Sequence, residues 1–223
     1  MTTRRYTGPG VGIIPLVTLV SLCWAGQSAE LPPMHEHAGH HGDPAMSDEH
    51  AAHRAALKRS GYALTTERYV VPDVELIDES GSPVALRQLL EGDQPVALNF
   101  IFTTCTTICP VMTATFSQMR RELGETAKQI RLVSISIDPE YDRPGVIKAY
   151  AERFHAGTGW TFLTGDGPDV SKVLLSFNTY GGSKMNHQPI TLLKSPQSAS
   201  WIRIDGLASG ADLAHEVSER LLN

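Results

Sequence analysis

The chain has 223 residues, 41% of them hydrophobic, with 19 lysines and arginines against 24 acidic residues and a formal charge of −5. That length suits about one domain with a sizeable core. A mildly acidic chain with interspersed charges lacks the basic stripe of a nucleic-acid binder, which excludes that class.

Arg4 and Arg5 precede an apolar run from Val11 to Ala25. A basic start followed by a short apolar stretch is the pattern of a secretory signal. The run is short for a membrane span, and Gly12 and Pro15 interrupt it. Residues 1–29 are therefore expected to be a signal peptide or an N-terminal membrane anchor. Export places the protein in the periplasm or on the outer face of the inner membrane, touching the membrane only through this segment. A reduced thiol pair in such an oxidising compartment needs a metal or a reductant to persist.

Residues 30–61 read as a disordered linker, because they carry almost no large apolar side chains. Six of the nine histidines fall in it: His35, His37, His40, His41, His50 and His53, with Met34 and Met46 beside them. Imidazole suits copper, zinc and nickel, and thioether suits copper(I), so the linker reads as a loose metal-capturing tail. A plain solvated linker is the alternative.

The globular domain is expected over residues 62–223. Val70–Ile77 and Pro83–Leu86, joined by the turn Asp78–Ser82, suggest a β-hairpin. Val96–Phe102 is nearly continuous in apolar residues and fits a strand buried on both faces. Pro110 suits the first turn of a helix that runs to about Gly124. Ile130–Ile137 is a further central strand, and Asp142 is placed to cap a helix with Pro144 in its first turn. A short strand at Trp160–Leu163, a helix from Pro168 to Phe177, strands at Pro189–Leu193 and Trp201–Ile204, and a final helix from Ala211 follow. Strands alternating with helices, then a closing hairpin and helix, predict an α/β, thioredoxin-like fold with an N-terminal β-hairpin extension.

Cys105 and Cys109 stand between the buried strand and Pro110. Two nearby thiols hold a soft metal or cycle between dithiol and disulfide. With a helix starting at Pro110, Cys109 lies at or next to the N-cap, where the helix dipole lowers a thiol pKa. Two sulfurs are a poor site alone, so a third ligand is expected. His155 and His215 lie on helices and read as surface or packing residues. His187 lies in a loop before a strand; if that strand runs antiparallel to Val96–Phe102, the loop lies beside the cysteines. Cys105, Cys109 and His187 then form a two-sulfur, one-nitrogen set that copper(I) accepts well, with copper(II) left open. Asp138 ends a central strand on the same rim and could orient a ligand or a partner. Met112 and Met185 could lend thioethers, although methionine beside a core is ordinarily packing.

The stretch Thr104-Cys105-Thr106-Thr107-Ile108-Cys109-Pro110 resembles the cysteine motif of the SCO/SenC family of copper chaperones. Ser136–Asp142 resembles that family's second motif, and Asn186-His187 matches the position of its copper-binding histidine. The resemblance covers about residues 68–222 and implies a thioredoxin-like fold with Cys105, Cys109 and His187 as copper ligands. It also implies delivery of copper to the dinuclear copper centre of cytochrome c oxidase, or reduction of that centre's thiols. The implied partners are the oxidase subunit carrying that centre and other periplasmic copper chaperones. An exported thiol–disulfide oxidoreductase, with Cys105 and Cys109 as its redox pair, and a periplasmic copper-buffering protein remain the competing readings.

Overall fold

The computed structural model describes residues 61–222. The expected targeting segment at 1–29, with Cys23, and the histidine-rich stretch lie outside the described residues. Among those described, no helix is long and apolar enough to cross a membrane.

The elements follow in the order β1 (Tyr62–Glu67), β2 (Glu75–Asp78), β3 (Pro83–Ala85), α1 (Leu86–Leu90), β4 (Val96–Ile101) and α2 (Ile108–Leu123). Then come β5 (Arg131–Ser136), α3 (Pro144–Arg153), β6 (Trp160–Thr164), α4 (Gly167–Ser176), β7 (Ile190–Lys194), β8 (Trp201–Gly206) and α5 (Gly210–Val217). The described strands form one sheet in the order β1-β8-β7-β4-β5-β6-β2-β3. Strands β4, β5 and β6 run parallel, as strands joined by crossover helices must. Strand β7 pairs antiparallel with β4, Asn99 facing Thr191. Strands β2 and β3 pair antiparallel across the Asp78–Ser82 turn, where the Asp78 carboxylate accepts the N–H groups of Ser80 and Ser82.

All six residues of β4 are buried. Their alternation explains this: Ala97 and Ile101 face a cluster with Phe116, Met119, Ile147, Tyr150 and Leu213 from α2, α3 and α5. Leu98 and Phe100 face the other cluster, with Leu86, Leu90, Val170 and Val173 from α1 and α4. Helices thus cover both faces of the sheet. Burial of each large side chain contributes roughly 1.5–3 kcal/mol, so the rim that carries the loops is held by a stiff platform.

Two sequence expectations change. Strand β1, not expected, pairs antiparallel with β8 along its whole length, Tyr62 facing Gly206. The strand expected from Val70 begins only at Glu75.

Candidate metal centre

The cysteine loop leaves the end of β4 and enters α2. The helix begins at Ile108, with Thr107 as its N-cap, so Cys109 lies inside the first turn rather than before it. Turn geometry starts the loop: the Cys105 N–H donates to the Phe102 carbonyl at 3.1 Å. The sulfur of Cys105 then folds back to accept the Cys109 N–H at 3.4 Å. It thereby serves one of the free N–H groups at the helix start, a place where negative charge is stabilised.

This contact reverses the roles expected of the two thiols. Burial pushes the Cys105 thiol up, but hydrogen bonds from the backbone N–H groups of Cys109 and Thr107, and from the Cys109 side chain, bring it down to about 7. Burial pushes the Cys109 thiol far above its ordinary value, and its hydrogen bond to Cys105 adds to the rise. The helix start therefore activates Cys105, not Cys109. Cys109 has no exposed surface, and Thr113 and Tyr150 close in behind it: the Thr113 hydroxyl donates to the Cys109 carbonyl at 2.8 Å and meets the Tyr150 hydroxyl at 2.9 Å. Both cysteines are free thiols.

The β4–β7 pairing brings the loop before β7 to the end of β4, as the antiparallel expectation required. His187 is buried there, and its Nε2 lies 2.9 Å from the Phe100 carbonyl oxygen. A carbonyl only accepts, so Nε2 carries the hydrogen and Nδ1 of the neutral ring keeps its lone pair. Burial also disfavours the charged ring and lowers its pKa. The ring meets Phe102 edge-on at 6.3 Å between centroids. Metal-binding histidines ordinarily have this arrangement, one nitrogen donating to a carbonyl and the other free.

Cys105 and His187 line one cavity of about 200 Å³, together with Phe102, Thr106, Lys184 and Met185. Cys109 is fully buried and does not line it. Among the described residues, no three Cys, His, Asp or Glu side chains already surround a single point where a metal would bind. The donor chemistry fits a soft ion: one thiolate, one thiol beside it and one neutral imidazole. The geometry brings Cys105 and His187 to a common cavity that Cys109 does not line. His155 and His215 are exposed and away from this cavity.

Two aspartates build the surroundings. Asp142 does not cap α3, whose N-cap is Arg143. It is fully buried and accepts the Thr103 N–H at 3.0 Å, the Thr103 hydroxyl, and the Ser136 hydroxyl at 2.6 Å. It ties the start of the cysteine loop to the end of β5. Asp138 is also buried and pairs with Lys184 at 2.5 Å, which anchors the histidine loop to the same rim. The sequence marked Asp138 correctly as belonging to the rim. Nothing in it marked Lys184, since the pair is made across 46 residues.

A model of the SCO1/SenC family matches residues 63–222. The chain belongs to the SCO1/SenC family. A SCO1 protein homolog of Bacillus subtilis is 37% identical over 98 residues, which is 44% of this chain and 50% of that protein. A putative copper-binding protein of Stutzerimonas stutzeri is 36% identical over 107 residues, 46% of this chain and 50% of that protein. The chain thus spans about half the length of the curated relatives it matches. The solved structure of BsSco has a TM-score of 0.54 and 27% identity, covering 68% of this chain and 93% of that one. BsSco is described as having a disulfide switch and as a member of the Sco family of cytochrome c oxidase assembly proteins. The SCO1/SenC fold is the thioredoxin-like arrangement expected from the order of strands and helices.

Proposed function

We propose that this SCO1/SenC chain is an exported copper-binding assembly factor. It holds copper(I) with Cys105, Cys109 and His187 and delivers it to the dinuclear copper centre of cytochrome c oxidase. The observation that carries the reading is the convergence of an activated Cys105 thiol and an Nδ1-available His187 on one cavity. The copper-binding description of the S. stutzeri relative and the assembly role described for BsSco support the choice of metal and of recipient. The N-terminal segment directs or anchors the chain outside the inner membrane, and the histidine-rich stretch collects copper for the site.

The thiol pair supports a second reading, reduction of the recipient's cysteines. The Cys105 thiolate attacks a disulfide, forming a mixed disulfide and releasing one recipient thiolate. Cys109 gives up its proton, attacks Cys105 and releases the second recipient thiol. The recipient gains two electrons, and this chain leaves as the Cys105–Cys109 disulfide. The pKa asymmetry of the pair favours this role, whereas His187 has no part in it.

Copper(I) titration of the reduced chain lacking Met34–His53 against a competing chelator tests the main reading. One tight equivalent is expected, lost when Cys105 and Cys109 are both replaced by Ser. Tight binding that survives the double replacement contradicts the site.

A further inference from the structure

The methionines of the folded region separate sharply. Met112 and Met119 are buried in the core at 4% and 0% exposure, whereas Met185 is 78% exposed. The packing role expected of both Met112 and Met185 thus holds for Met112 alone. Met185 is the most exposed of the large apolar side chains described, and it lines the same cavity as Cys105 and His187. Burial gives no reason for a methionine there.

Its backbone is nevertheless held. The Met185 N–H donates to the Ser183 hydroxyl at 3.3 Å. Lys184, just before it, is paired with Asp138, and the Asn186 side chain, just after it, donates to the Gly181 carbonyl at 3.3 Å. Gly182 takes a φ of +73°, a conformation that glycine reaches without strain and that turns the loop back on itself. The loop therefore presents a free thioether from an anchored turn at the cavity mouth.

We propose that Met185 is the entry ligand for copper(I): its thioether takes the incoming ion at the cavity mouth and passes it to Cys105. This rests on the copper reading above. A thioether is soft, stays neutral and suits copper(I). It forms no disulfide, so it remains available when the cysteines are oxidised. It is also a weaker donor than a thiolate, so the ion moves inward. His187 is less suited to first contact, being buried with one nitrogen already engaged.

The test uses the full reduced chain labelled with ¹³C at the methionine methyl groups. Copper(I) is added under argon as its acetonitrile complex. Replacement M185L identifies the Met185 methyl resonance, and alkylation of Cys105 reports arrival at the cysteines. The expected result is a shift of the Met185 methyl during uptake, with copper reaching Cys105 about tenfold more slowly in M185L, a barrier higher by about 1.4 kcal/mol. A stationary Met185 methyl while Cys105 becomes protected overturns this proposal and leaves the copper site standing. Uptake by M185L at the original rate also overturns it. If neither the methyl nor Cys105 responds, the copper reading fails together with it.

Discussion

The Nε2 atom of His187 lies 2.9 Å from the carbonyl oxygen of Phe100, a residue 87 positions earlier in the chain. Phe100 belongs to the buried central strand, so this hydrogen bond fixes the histidine's tautomer against the stiffest part of the sheet. The same strand ends in the loop that carries Cys105. One strand therefore positions the Cys105 sulfur through the chain and orients the His187 imidazole through its backbone.

The cysteine loop depends on Asp142. Its carboxylate accepts three hydrogen bonds in a fully buried position. Replacing Asp142 with Ala strands the Thr103 N–H, at a cost of about 2–3 kcal/mol. Urea denaturation is expected to show that loss, with a smaller one for Asp142→Asn, which keeps one acceptor. A midpoint equal to that of the unaltered chain would show that the loop needs no such tie.

The two thiols differ in their response to pH. The Cys105 thiol ionises at about 7, whereas Cys109 keeps its proton well beyond the ordinary thiol range. Only the thiolate is nucleophilic. Alkylation of the reduced, metal-free chain by iodoacetamide is therefore expected at Cys105, slow below pH 7 and rising through it. Cys109 is expected to stay unmodified over the same range. Mass spectrometry of the peptides decides it: first reaction at Cys109, or a midpoint near the ordinary thiol value, would reverse the assignment.

The core was legible because its signals are local. The apolar run at Val96–Phe102, broken only by Asn99, fits a strand buried on both faces, and Pro110 places a helix start to within two residues. Cys105, Cys109 and His187 could be singled out because their chemistry is rare, while the nearness of His187 to the cysteine loop hung on the antiparallel pairing of β7 with β4, which the sequence offered only as a condition. What stayed hidden was set across the chain. Strand β1 buries little besides part of Tyr62 and forms only because β8 offers its edge. Asp142 looked like a helix cap from its place before Pro144, but its partners Thr103 and Ser136 arrive through folding. The thiol roles were inverted for the same reason: helix position is read from sequence, and the burial of Cys109 is not.

The central claim is that His187 completes a copper site with the two cysteines. Copper(I) affinity of the reduced chain, measured by chelator competition with and without Met34–His53, tests it most directly against His187→Ala. Losing an outer partner of a metal ligand costs about 10–100-fold in affinity, so losing the ligand itself is expected to cost at least about 100-fold. An unchanged affinity in His187→Ala would contradict the site and leave Cys105 and Cys109 as a redox pair alone.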